Sequence, residues 1–332
     1  MQTVSDALRS TDLPRGCVAT IGNFDGLHRG QRSLLERVVS RARELGQAAV
    51  AVTFQPHPLR VIAPELEPPA ITTPRQKEAL LAAAGIDLLA VIPFTAEFAA
   101  TSAESFVRHF LVGRLGVRQL LVGRRFVFGR NREGSLELLD RLGAELGFTT
   151  EGVDEVLHDG EPVSSTRVRR AIGDGRIELA GELLGRPFSL EGEIVRGFRM
   201  GKRLGWPTIN LQPEGELLPF EGVYATRVVI PSFPATFDSV TNIGTRPTVY
   251  ESHQRVIESH ILDFRSDVYG ETVELLFFKR LRDEMLFPSV MALSAQIKRD
   301  VESTREYFAG LRRSLEGAAN GRPAGSDVAS RS

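Results

Sequence analysis

Residues 192–210 read GEIVRGFRMGKRLGWPTIN, with glycine at 192, 197, 201 and 205 running into Trp206-Pro207-Thr208 and then Asn210. Glycines at this density let backbone N–H groups approach anionic oxygens with no Cβ in the way. Pro207 fixes the backbone just ahead of a hydroxyl and an amide, two hard oxygen ligands of the kind Mg²⁺ accepts beside nucleotide phosphates. The run therefore reads as a phosphate-and-magnesium loop entering a strand, with Gly197, Gly201, Lys202 and Gly205 as candidate contacts. Lys202 and Arg203 fit either phosphate contacts or solvated turn charges. The Gly-Lys-Ser/Thr ending of a Walker A loop is absent, and a glycine-rich turn with no ligand is the alternative.

Further motifs extend the pattern outward. Asn242-Ile243-Gly244-Thr245-Arg246-Pro247-Thr248 follows, then Glu258-Ser259-His260-Ile261-Leu262-Asp263-Phe264. Leu281-Arg282-Asp283-Glu284 with Phe287, and a helix carrying Gln296, Ile297 and Asp300, close the series. Over residues 187–308 this order resembles the riboflavin kinase domain. In the front half, Gly22-Asn23-Phe24-Asp25-Gly26-Leu27-His28-Arg29-Gly30 resembles the opening of a nucleotidyltransferase. From about residue 16 to residue 308 the chain is similar to the bifunctional bacterial riboflavin kinase/FAD synthetase family.

Composition sets outer limits. The 332 residues suffice for two domains with separate cores, and 41 Lys and Arg against 42 Asp and Glu leave a net charge of −1. That balance gives no support to nucleic-acid binding through bulk charge. The single cysteine, Cys17, excludes an internal disulfide framework and reads as a small strand residue rather than a nucleophile. Asp6, Arg9 and Asp12 interrupt what would have to be an apolar signal core, and no stretch of about eighteen apolar residues offers a membrane span. The expectation is a soluble, cytoplasmic protein; its oligomeric state stays open.

Residues 18–150 alternate buried strand runs (18–21, 48–54, 88–92, 119–122) with helical patterns (30–46, 75–84, 102–114, 135–146), the signature of a doubly wound α/β domain. A helical pair at 166–173 and 176–185 ends at Arg186-Pro187, which sets the expected domains at 1–186 and 187–310, with 311–332 as a tail. From Phe188 onward, short alternating stretches at 224–230, 239–242, 257–264 and 272–281 predict a small antiparallel barrel. The resemblance implies six barrel strands and a C-terminal helix, which matches the apolar pattern from Val290 to Phe308. The Gly-, Ala-, Ser- and Arg-rich end from Gly317 reads as disordered.

Phosphoryl transfer to a hydroxyl needs a metal bridging the phosphates, donors for the developing charge and a proton acceptor. Thr208 and Asn210 alternate along a predicted strand and so share a face; by resemblance they are the Mg²⁺ and phosphate ligands. The resemblance makes Glu258 the general base for the flavin's terminal hydroxyl, although a carboxylate of pKa about 4.3 is a weak base unless burial raises it. His260, on the same face, reads as a packing histidine. Asn242 is expected to hydrogen-bond inside the barrel, and Arg282 to be a mobile phosphate contact.

Nucleotidyl transfer needs donors or cations on the α-phosphate and a helix N-terminus aimed at it. Gly22, Phe24, Asp25, Gly26, His28 and Gly30 fit that place, and His57, rigid between Pro56 and Pro58, belongs to the second matching element. Where the family reads His-x-Gly-His, this chain has His28-Arg29-Gly30-Gln31, and Gln31 donates a hydrogen bond but carries no charge. Loss of one such donor is worth roughly 2.7–4 kcal/mol. Where the family has Asp or Asn after Gly123, this chain has Arg125, which would either grip phosphate or block the pocket. Val163-Ser164-Ser165-Thr166-Arg167-Val168-Arg169 is intact, with Ser165 or Thr166 as a helix cap and Arg167 and Arg169 able to meet phosphates, Arg167 being the catalytic candidate. The reading is an enzyme that uses ATP and Mg²⁺ to phosphorylate riboflavin to FMN, then adenylates FMN to FAD. A kinase with a degenerate adenylyltransferase half (Gln31, Arg125) and a non-catalytic flavin-binding regulator are the alternatives.

Overall fold

Apolar runs of five to eight residues, too short for helices and rich in Val, Ala and Ile, form the centre of a parallel sheet in the computed structural model. Its strands are β1 (Gln2–Val4), β2 (Cys17–Ile21), β3 (Ala48–Gln55), β4 (Leu88–Pro93), β5 (Val117–Gly123) and β6 (Thr149–Val153), in the order β1-β4-β3-β2-β5-β6. Residues 1–196, 205–246 and 254–319 are described. The chain divides into two compact units, Met1–Arg169 with Leu183–Gly185, and Arg170–Glu182 with Arg186 onward.

In the six-stranded sheet of the first unit every strand pair is parallel. Helices α1 (Arg29–Glu44), α2 (Pro58–Ile62) and α3 (Pro74–Ala83) follow β2 and β3. Leu34, Leu35 and Val38 of α1 and Leu81 of α3 bury one face of the sheet against Val18, Ala51 and Val91. The opposite face is covered by Phe106, Val107, Phe110 and Leu111 together with Leu139 and Leu142 of a later helix. The helix expected over 102–114 forms as α5 (Ala103–Phe106) running directly into a π-helical turn, Val107–Val112, and a separate short helix, α4 (Ala96–Ala99), precedes it. After α6 (Leu136–Leu146) come a hairpin of β7 (Leu157–His158) and β8 (Glu161–Pro162), then α7 (Ser165–Gly173) and α8 (Ile177–Leu184).

The second unit closes a six-stranded antiparallel barrel from β9 (Phe188–Val195), β10 (Ile209–Pro213), β11 (Gly222–Val229), β12 (Thr236–Arg246), β13 (Gln254–Ile261) and β14 (Thr272–Arg282), ordered β10-β13-β12-β11-β14-β9. Alternation sorts the side chains. Phe188, Leu190, Ile194, Tyr224 and Phe277 are buried, and a row of hydroxyls lies among them. Thr226 Oγ1 lies 2.7 Å from Ser239 Oγ and 2.6 Å from Thr241 Oγ1, and Thr241 Oγ1 donates to Ser259 Oγ at 2.9 Å. The other parity, Val223 and Val240, packs against Val301 and Ile297 of α9 (Val290–Ala319). This helix runs eleven residues past Phe308, because Leu311, Arg312, Arg313 and Leu315 are good helix formers and Pro is absent until 323. The rest of the expected tail lies outside the described residues.

Gly192 sits where β9 crosses closest to β10, and a Cβ there would collide with the Gln212 carbonyl oxygen. Gly192→Ala is expected to lower barrel stability by about 1–3 kcal/mol. Chemical denaturation followed at Trp206, which belongs to the barrel unit, measures it; an unchanged midpoint would contradict the close approach.

Candidate functional site

Cross-strand partners in a sheet project to the same side. Asn210 pairs with Glu258, Glu258 with Asn242, Asn242 with Val223 and Val223 with Arg282, so five residues from five strands form one row around the barrel. The row lies on the face toward α9, where a cavity of about 580 Å³ is lined by Thr208, Asn242, Glu258, His260 and Arg282 from the barrel and by Leu293 from the helix. Thr208 and Glu258, named from the sequence, thus meet at one cavity, with Asn210 beside Glu258 in register and 9% exposed. Asn242 is a correction: it lines this outward cavity, while its neighbours Thr241 and Ile243 face inward and are fully buried.

Packing sets the approach to Thr208. Trp206 Nε1 donates to Ser294 Oγ of α9 at 3.1 Å, and its ring meets His260 edge-on at 5.4 Å. His260 Nδ1 lies 2.7 Å from the Pro207 carbonyl, an acceptor, so Nδ1 carries the proton. This is the packing role expected of His260, and it fixes the residue before Thr208. Gly205 enters the turn at φ +81°, a left-handed conformation suited to glycine. Gly197, Gly201 and Lys202, with Arg203, lie outside the described residues.

Arg282 is not loose. Asp300, 5% exposed, accepts from Arg282 Nε at 3.1 Å and Nη2 at 2.8 Å and from Gln296 Nε2 at 2.8 Å, while Arg282 Nη1 donates to the Asp283 carbonyl at 2.8 Å. Glu284 closes over Gly244, where a Cβ would take the place of its carboxylate. Asp300 and Glu284 stood in the sequence motif, but only the fold reveals their partners.

In the first unit the loop between β2 and α1 carries three left-handed residues, Phe24 (φ +46°), Gly26 (+86°) and Leu27 (+40°). Phe24 and Leu27 are each 1% exposed and belong to the core beneath α1. Phe24 is therefore an anchor whose ring is unavailable to a ligand, and a Cβ on Gly22 would press on that ring at 3.3 Å. Asp25, at 6% exposure, accepts from the backbone N–H groups of Ile71 (3.0 Å) and Thr72 (3.1 Å), from Thr72 Oγ1 (3.2 Å) and from Arg169 Nη2 (2.5 Å). Ser165 Oγ donates to the Asp25 carbonyl at 2.8 Å. Asp25 and Ser165 thus organise the loop rather than present free groups.

His28 is the N-cap of α1, its Nδ1 accepting from Gln31 N at 3.3 Å. The neutral ring then carries its proton on Nε2. Burial pulls its pKa down to about 4, Asp25 opposing and Arg169 assisting, so His28 is an uncharged donor at neutral pH. A Cβ on Gly30 would press on that ring at 3.3 Å. His57 caps α2 through Nδ1 (Leu59 N, 3.2 Å), and its Nε2 lies 3.0 Å from the Asn23 amide. Burial also lowers its pKa, with Arg169 and Lys77 adding to the effect. Gln31 Oε1 is buried without a hydrogen-bond partner among the described residues.

The arginines are reordered. Arg167, the sequence's catalytic candidate, donates to the carbonyls of His158 and Glu161 at 2.9 Å each and braces the β7–β8 hairpin. Ser164, not Ser165 or Thr166, caps α7 by accepting from Arg167 N at 3.2 Å, and Thr166 is exposed. Arg169 is the arginine whose charge reaches His28 and His57. Arg125 pairs with Glu155 at 3.1 Å and Arg124 with Asp154 at 2.6 Å. Cys17 is buried, its thiol pushed up to about 12 and so inert.

Comparison with known proteins bears on both units. A family model for FAD synthetase matches residues 10–167, and one for riboflavin kinase matches residues 184–308. The bifunctional riboflavin kinase/FMN adenylyltransferase of Escherichia coli K12 is 40% identical over 294 residues, 88% of this chain and 93% of that protein. That of Pseudomonas fluorescens is 40% identical over 295 residues, 89% and 94% of the two chains. A solved structure from Streptococcus pneumoniae, described as a macrolide-efflux protein, superposes with a TM-score of 0.82 at 30% identity over 91% of this chain and 98% of that one. Among the described residues no helix is long and apolar enough to cross a membrane. The two motif series, the parallel sheet and barrel that carry them, and these matches give one conclusion: the chain belongs to the bifunctional riboflavin kinase/FMN adenylyltransferase family.

Proposed function

We propose that the barrel unit phosphorylates riboflavin at the cavity beside α9 and that the α/β unit transfers AMP from ATP to the resulting FMN, giving FAD and pyrophosphate. The observation that carries the kinase assignment is the Asn210–Glu258–Asn242 row beside Thr208. Glu258 accepts the proton of the flavin's terminal hydroxyl as that oxygen attacks the γ-phosphorus of ATP, and ADP leaves with the electron pair of the broken phosphorus–oxygen bond. Thr208 and Asn210 supply a hydroxyl and an amide oxygen, a donor set that fits Mg²⁺ shared with ATP phosphates. When bound, the ion would neutralise phosphate charge. Arg282, oriented by Asp300, offers its remaining surface to the transferred group. We assign the kinase to residues 187–310 and the adenylyltransferase to residues 1–186.

In the adenylyltransferase, a phosphate oxygen of FMN bonds to the α-phosphorus of ATP as pyrophosphate leaves with the electron pair. His28 donates from Nε2 to the α-phosphate, Gln31 contributes an uncharged amide, and the N–H groups opening α1 face the same anion. Pairing with Glu155 at 3.1 Å supports an Arg125 that neither grips nor blocks the nucleotide.

Glu258→Gln is expected to slow FMN formation about 100-fold or more, while conversion of supplied FMN to FAD is retained. His28→Asn should show the reverse, and chromatography of the flavins resolves both; loss of both activities in either variant would contradict separate sites. Asp300→Ala removes a buried partner of Arg282 and should destabilise the barrel by about 3–5 kcal/mol. Thermal melting tests it, an unchanged midpoint being the contrary result.

His28 also makes stability depend on pH. Its pKa falls from 6.5 to about 4 on folding, so between those values the unfolded chain binds more protons. The contribution is complete above pH 6.5 and is lost as pH falls toward 4, a loss of about 3 kcal/mol. Urea midpoints compared between wild type and His28→Asn at pH 7 and pH 4.5 measure it. Equal pH dependence in the two proteins would contradict it.

A further inference from the structure

Backbone pairing between β10 and β13 starts with Ile209 opposite Ser259, so Thr208 stands one residue ahead of the ladder that aligns Asn210 with Glu258. A ligand residue ahead of its ladder takes its position from the side chains around it. His260, the residue after Ser259, reaches across from β13 and donates from Nδ1 to the Pro207 carbonyl at 2.7 Å. That carbonyl shares one planar peptide unit with the Thr208 N–H and Cα, and the proline ring holds φ of residue 207 near about −65°. Pinning the oxygen therefore fixes the plane from which the Thr208 side chain leaves, at the cavity that Thr208 and His260 both line.

The imidazole is itself held. The Trp206 ring meets it edge-on, centroids 5.4 Å apart and planes at 89°, and Trp206 Nε1 donates to Ser294 Oγ of α9 at 3.1 Å. Farther along the same helix, Asp300 accepts from Arg282 Nη2 at 2.8 Å. One helix thus steadies both the approach to Thr208 and the Arg282 guanidinium.

Packing alone does not call for histidine here. Phenylalanine or leucine would fill the space beside Trp206, and neither has a donor to offer the Pro207 carbonyl. What the imidazole adds is the Nδ1–H, and displacement of a substrate-positioning group by about 1 Å is enough to slow a reaction severely.

We propose that His260 is a positioning residue of the kinase: through the Pro207 carbonyl it places the Thr208 hydroxyl for the Mg²⁺-bound phosphates of ATP. This rests on the barrel unit being the riboflavin kinase. His260 neither gains nor loses a proton in the step.

Two full-length variants separate the hydrogen bond from the packing. His260→Phe keeps a ring beside Trp206 and removes the donor, whereas His260→Asn removes the ring and keeps an amide donor near the place of Nδ1. In riboflavin phosphorylation, His260→Phe should raise KM for Mg²⁺-ATP about three- to tenfold, the scale of one hydrogen bond, with KM for riboflavin unchanged. His260→Asn should stay within about twofold of wild type. Binding gives a second readout, because Trp206 is the chain's one tryptophan. Its fluorescence, titrated with Mg²⁺-ADP, should show weaker binding in His260→Phe and recovery in His260→Asn. Conversion of supplied FMN to FAD should be unchanged in both. Wild-type KM for ATP in His260→Phe, equal losses in the two variants, or an equal rise in KM for riboflavin and ATP would overturn the proposal. Should His260→Phe fail to fold, the similarly shaped pair His260→Asn and His260→Leu replaces it: weaker Mg²⁺-ADP binding in the leucine variant supports the proposal, and equal binding overturns it. Should wild type itself form no FMN, the kinase reading fails separately. The Mg²⁺-ADP titration then decides, weaker binding to His260→Phe than to His260→Asn supporting the proposal and equal or absent binding overturning it.

Discussion

Asp25 lies almost wholly out of water, and its carboxylate accepts from two backbone N–H groups, a hydroxyl and the Arg169 guanidinium. These partners come from the loop before α3 and from α7, so one side chain joins three segments separated by up to 144 positions. Asp300 does the equivalent in the barrel, holding Arg282 across from α9. A buried ion pair adds little net stability over an apolar substitute, yet removing one partner costs about 3–5 kcal/mol because a charge is stranded. Such pairs therefore act mainly as positioning constraints. Each reaction then takes place on groups whose geometry is set before substrate arrives.

The barrel shows what alternation gives and what it withholds. Period two placed Thr208 with Asn210, and Glu258 with His260, on shared faces, and closure of the sheet brought the rows together. Which face was interior did not follow from the sequence. Thr226, Ser239, Thr241 and Ser259 put hydroxyls inside, so polarity no longer marks the outside, and Asn242 was assigned the wrong parity. The central strands of the parallel sheet were plain because they are buried on both faces; β1 is only three residues long and β6 carries Thr, Thr and Glu, so neither stood out.

The loop motif of the first unit hid a different ambiguity. Phe24, Asp25 and Leu27 lie among ligand-facing residues in sequence, yet left-handed backbone turns Phe24 and Leu27 into the core and Asp25 onto α7. Arg167 and Arg169 sit two apart on a helix, on different faces, and nothing local says which faces the site.

Two sites, each carrying its own positioning pair, should act in sequence in one polypeptide. The most direct measurement follows riboflavin, FMN and FAD over time after the purified protein is mixed with riboflavin, ATP and Mg²⁺. FMN that rises first and then declines as FAD accumulates is the predicted course. FMN accumulating with no FAD, even when FMN is the starting flavin, would contradict it.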